Sequence, residues 1–107
     1  MEPKSTQSQE MIHLVTEVMN TIECGYRGKE NSWYKFFGTI LERLNKPHSV
    51  DKIARDIISV YGGMGTFNDL VLHKNQITML QEENDKLEQL RHDLYILCEK
   101  ILTNTEL

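Results

Sequence analysis

Tyr61-Gly62-Gly63-Met64-Gly65-Thr66-Phe67-Asn68-Asp69-Leu70 separates an apolar helical pattern from the short apolar run Leu70-Val71-Leu72. Three of the six glycines of the 107-residue chain fall within four positions of this stretch. A chain concentrates glycine where torsion angles are unusual or backbones approach closely. The stretch therefore predicts a helix stop and a tight reversal. Gly62 is expected as the left-handed cap, with Gly63 and Gly65 shaping the loop. Phe67 and Leu70 are expected to turn back into the core. Asn68 and Asp69 are expected to bond loop backbone groups, as such side chains do in turns.

Upstream, Val50, Ile53, Ala54, Ile57, Ile58 and Tyr61 recur at helical spacing, with Ser49 as N-cap, Asp51 in the first turn and Gly62 as the stop. Before them, Trp33, Phe36, Phe37, Ile40, Leu41 and Leu44 form a second stripe, capped by Ser32 and stopped by Asn45-Lys46-Pro47. A third stripe begins at Met11, runs through Leu14, Val15, Val18 and Ile22, and ends at Cys24-Gly25 with Gly25 as a left-handed cap. Residues 1–8 lack core-forming side chains and read as a flexible tail, so the domain spans 9–107. Downstream, Leu70-Val71-Leu72 reads as a short extended segment. Thr78 and Gln81 resemble a capping box for a last helix that reaches about Leu102. There Leu80, Leu87, Leu94 and Ile101 repeat every seven residues, with Leu90 and Leu97 between them and the seam weakening toward Glu83 and Asn84. That helix would be roughly 35 Å long and would project past its neighbours. The fold class is all-α: a four-helix, bundle-like single domain with a glycine loop and a short extended segment before the last helix. The seam is expected to close the bundle, which leaves a monomer or a weak homodimer.

The chemistry legible in the chain is sparse. Glycines in phosphate cradles follow a strand and precede a helix, so that the anion meets a positive helix end. Here they follow a helix, and no Gly-Lys-Ser/Thr comes after them. A ligand reading of the loop would need a basic neighbour, for which His73 and Lys74 are the candidates. His13, His48, His73 and His92 lack metal-ligand spacing, so no metal and no cofactor is expected. Cys98 stands 120° off the face of His92 on a helix and two turns away, and no catalytic set is assigned. The chain carries a net charge of −4, which argues against a nucleic-acid partner, since that needs a basic stripe. No apolar run approaches the length of a membrane span, and no basic start precedes an apolar core. The expectation is a cytoplasmic protein with both cysteines reduced.

Gly62-Gly63-Met64-Gly65-Thr66-Phe67-Asn68-Asp69-Leu70-Val71-Leu72 resembles the signature of a family of small bacterial proteins of unknown function. Its members read Gly-Gly-Met-Gly-Ser-Phe/Leu-Asn-Asp-Leu-Val-Leu. They carry a tryptophan-bearing helix upstream, as Trp33 is here, and a leucine- and tyrosine-rich helix downstream, as Leu90-Arg91-His92-Asp93-Leu94-Tyr95 is here. The resemblance spans about residues 10–102. Thr66 keeps the hydroxyl of the usual serine, while the stretch after Leu72 is shorter than usual. The family brings no activity with it. Small acidic bacterial proteins of this kind often serve as immunity proteins against toxins, and that role is expected here by class rather than by motif.

The functional expectation is a non-catalytic protein-binding module, with immunity toward a cognate toxin, basic if that toxin is a nuclease, as its concrete form. Glu82, Glu83, Asp85 and Glu88 on the last helix would steer the partner, and Met64, Asn68 and Asp69 at the loop edge would add contacts. The alternatives are a small-ligand or nucleotide-binding regulator using the glycine loop, and a homodimeric helical adaptor built on the last helix.

Overall fold

The computed structural model describes residues 4–62 and 65–104. Apolar side chains at three- and four-residue steps produce four helices: α1 Lys4–Glu23, α2 Ser32–Leu44, α3 Val50–Ile58 and α4 Gln81–Asn104. Short 3-10 turns form at Gly28–Glu30 and Phe67–Asp69. Among the described residues there is no strand, and the fold is all-α.

Helix starts and stops follow local chemistry, with corrections to the sequence reading. Ser49 caps α3 as expected, its side chain accepting from the Lys52 N–H at 3.4 Å, and Asp51 sits in the first turn. The cap of α2 is Asn31, whose Oδ1 accepts from the Trp33 N–H at 2.8 Å, so Ser32 is already inside the helix. Gly25 has no positive φ and is not a left-handed cap. The helix α3 stops at Ile58 with Ser59 as its C-cap, and Gly62 follows at φ 150, a loop conformation rather than a helix cap. The Thr78–Gln81 capping box does not form: the Gln81 amide donates instead to Asp85 one turn on. Finally, α1 begins at Lys4, ahead of the expected boundary at residue 9, and Gln7 is buried. Residues 1–3 of the expected tail lie outside the described residues.

The helix α1 therefore runs nearly as long as α4, and the two lie side by side. Lys86 Nζ is 3.6 Å from Glu17 Oε1, and Glu82 and Glu83 lie beside Thr21 and Cys24, so the pair is antiparallel. Instead of projecting alone, α4 has α1 along its length. α2 packs on α1 and α3 on α4, while α2 and α3 touch only slightly. The leucine seam faces inward: Leu87, Leu94, Leu97, Cys98 and Ile101 are buried within the single chain, against Met11, Val15, Val18 and Ile22 and the inner stripes of α2 and α3.

Phe67 is the hub that ties the glycine segment to this core. Its buried ring lies 4.8 Å from that of Phe37 and 5.5 Å from those of Trp33 and Tyr61. Tyr61 continues the cluster to Tyr95 of α4 at 5.0 Å. Such offset and edge-on pairs add to the gain from burial alone. After Phe67 the chain runs extended, with Leu72 buried. It then makes a hairpin-like turn in which His73 opposes Met79, held by Lys74 N–H to Thr78 O at 2.7 Å and Leu80 N–H to Leu72 O at 3.0 Å. Asn84 pins this segment to α4. It accepts from the Leu72 N–H at 2.7 Å and donates to the carbonyls of Leu72 and Leu80.

Candidate functional site

The loop that follows α3 is built by its own polar side chains, as expected. Asp69 Oδ2 accepts from the Gly65 N–H at 2.6 Å, and Asn68 Nδ2 donates to Gly62 O at 3.1 Å. Gly65 has φ 78, the left-handed region that an L side chain rarely enters. Gly63 and Met64, expected as loop glycine and partner contact, lie outside the described residues. Both Asn68 and Asp69 are exposed, but their functional groups serve the loop.

The basic group beside this loop is neither of the two expected. His73 opposes Met79 in the hairpin and Lys74 lies at its turn. Arg91 of α4 takes the position instead. Its Nη1 donates to Phe67 O at 2.9 Å and Leu70 O at 3.2 Å, and its guanidinium lies 5.5 Å from the centre of the Phe67 ring. Tyr61 returns the link by donating its hydroxyl to Arg91 O at 2.6 Å. Burial pushes the Tyr61 hydroxyl well above its ordinary value, with Cys98 adding to that shift and Arg91 opposing it. A groove between α3 and α4 opens over these groups, with Glu88, His92, Asn68 and Tyr95 on its walls and a volume of about 610 Å³. Cys98 is buried beneath, its thiol pushed up to about 12 by burial. It is a protonated thiol at neutral pH, with no way out to the exposed His92.

The four acidic residues of α4 do not act as one patch. Glu82 and Glu83 face α1, where they line a second groove with Glu17, Asn20, Thr21, Cys24 and Lys86. Lys86 is drawn to Glu17, across the groove from these two carboxylates. Asp85 accepts from the Gln81 amide and Glu88 belongs to the α3–α4 groove. Six residues on a helix turn Glu88 about 120° away from Glu82, which accounts for the division. Among the described residues no group of three His, Cys, Asp or Glu side chains converges as a metal site. Nor is any helix among them long and apolar enough to cross a membrane.

A family described as a domain of unknown function, DUF6966, matches residues 27–80, just over half of the chain. The chain belongs to the DUF6966 family. The DUF6966 match takes in α2, α3, the glycine loop and the hairpin, and leaves out α1 and α4, so it is narrower than the span of about 10–102 read from the sequence. No curated protein and no solved structure matches the chain. Within the DUF6966 segment, Phe67 and its two loop-bonding neighbours were legible from residue type. Arg91 and Asn84 were not, because both bond backbone groups that carry no residue signature.

Proposed function

We propose that this domain is a non-catalytic protein-binding module that captures a basic partner, in the form of an immunity protein that neutralises a cognate bacterial toxin in the cytoplasm. The observation that carries the reading is the acidic groove between α1 and α4, where Glu17, Glu82 and Glu83 face a single lining cation, Lys86. Surplus charge in a groove raises the local concentration of oppositely charged partners and speeds encounter. The overall charge of −4 acts in the same direction. Asp85 and Glu88 belong to the steering field rather than to the groove.

The test is co-expression with the product of the neighbouring gene in a growth assay, followed by pull-down and association kinetics. The joint change Glu82→Lys and Glu83→Lys is expected to leave the fold intact and slow association about tenfold at low salt. Glu88→Lys alone is expected to do much less. Absence of both protection and binding would remove the immunity reading.

A second reading is favoured by one observation, the α3–α4 groove that brings Arg91, His92 and Glu88 beside two tyrosine rings. It would suit a small polar, partly aromatic ligand such as a nucleotide. Saturable heat of nucleotide binding, lost in His92→Ala with the fold retained, would favour it over protein capture.

A further inference from the structure

Side chains alternate across an extended pair, and here the alternation leaves apolar residues on the wrong side. Leu72 points into the core. Val71 and His73 therefore face outward, and so do Met79, which opposes His73, and Ile77 two residues before it. Ile77 is 90 % exposed, Met79 52 % and Val71 46 %. Tyr26, tied to this face by its N–H to His73 O at 2.8 Å, is 53 % exposed. Four of the five large hydrophobic residues exposed among the described positions thus gather at one end of the molecule. Clusters of this kind mark interaction surfaces more often than isolated apolar residues do.

The backbone adds a direction. His73 and Met79 are the pair that exchanges no hydrogen bond, since the flanking bonds run from Lys74 to Thr78 and from Leu80 to Leu72. In such a pair the N–H and C=O of both residues point away from each other. On the His73 side the carbonyl is taken by Tyr26. On the Met79 side no described residue bonds either group, so this edge is open. A cation stands at the turn that joins the two edges. Lys74 opens this turn, and its side chain finds no carboxylate among the described residues, whereas Lys29 and Lys35 are held by Glu23 and Glu30. Arg27 follows Tyr26 on the edge already taken.

We propose that the hairpin face Val71–Met79 is a docking surface for an extended partner segment that alternates apolar and acidic residues. The segment adds along the open edge at Met79. Its main chain meets the free N–H and C=O, its apolar side chains cover Ile77, Met79 and Val71, and its carboxylates meet Lys74. Main-chain bonds then supply affinity and the alternate side chains supply selectivity. The surface is separate from the acidic α1–α4 groove and calls for the opposite partner charge.

The experiment is selection of a phage-displayed library of random linear peptides on the immobilised full chain. Enriched sequences are then synthesised and measured by fluorescence anisotropy. The expected consensus alternates apolar residues with Asp or Glu. Ile77→Asp is expected to weaken binding about tenfold or more, and because Ile77 is almost fully exposed its circular dichroism should match the parent. Lys74→Glu should shift the selected consensus toward lysine, whereas Arg27→Glu, on the edge already taken, should not. Peptide binding should also slow amide exchange at Met79. No enrichment, a basic consensus in the parent, indifference to Ile77→Asp, or an unprotected Met79 amide would each overturn the proposal. So would self-association abolished by Ile77→Asp, which would give the face to a second copy of the chain.

Discussion

Arg91 holds two carbonyls of the segment that follows the glycine loop, and both bonds run from a charged donor. Arg91→Ala leaves the Phe67 and Leu70 carbonyls without that partner and should cost about 2 kcal/mol in urea unfolding, with Arg91→Lys recovering part of it. Phe67→Ala removes the hub ring and should cost about 4 kcal/mol, acting through folding. Two acids, the buried Cys98 and the partly buried Tyr61, set a pH limit. The Cys98 thiol rises from its ordinary 9.0 to about 12, and the Tyr61 hydroxyl is raised from 10.0. The unfolded chain loses these protons first, so stability is fully present below pH 9 and declines as pH rises from there toward 12. The slope should steepen by up to about 1.4 kcal/mol per pH unit as each group begins to ionise in the unfolded chain. Urea titrations across this range check the decline, and Cys98→Ala should delay its onset to the tyrosine range. The roles of Asn68 and Asp69 could be read from their residue types, because turn side chains bond nearby backbone. The bonds of Arg91 span 21 and 24 residues to carbonyls and left no trace in the sequence. Asn84 looked like a defect in a leucine seam; it is the clamp on Leu72.

At the scale of elements, the helices themselves were legible and their ends less so. Asn31 and Ser32 are adjacent good caps, and only the fold decides between them. The early start of α1 was hidden because the buried position near its N-terminus is Gln7, which breaks the apolar rhythm. The glycines divide by geometry rather than by proximity to one another. Gly65 at φ 78 and Gly62 at φ 150 both hold angles that side chains resist. Gly65→Val should therefore cost more than about 1 kcal/mol although open space surrounds the position. Gly62→Val should cost a similar amount, through loop strain rather than through loss of a helix cap. Gly38 is the opposite case. It lies inside α2, and a methyl there would meet Met19 Cε at an ordinary 3.5 Å. Gly38→Ala should stabilise the protein by roughly 0.5–1 kcal/mol. Thermal melting of the three variants gives the order directly.

At the scale of the whole molecule, the seam of α4 is consumed inside the chain. Leu94 is fully buried, so Leu94→Asp should unfold the protein rather than release a folded subunit, because an unpaired carboxylate there costs several kcal/mol. Circular dichroism with light scattering distinguishes the two outcomes. That the fold is a helical bundle followed from periodicity; which helices are neighbours did not, since the closest partners are the first and the last. This pairing bears on how the chain comes into being. While the chain is being made, the apolar stripe of α1 is covered only on its α2 side until α4 has left the ribosome, and α2 and α3 offer each other little meanwhile. A fragment ending at Leu80, which still contains all of the DUF6966 segment, should be largely unstructured, and a separate peptide of residues 81–104 should restore its helicity when mixed with it. The segment that carries the family resemblance thus borrows its shape from the two helices outside it, and a nascent chain must keep its oldest helix out of trouble until its youngest arrives.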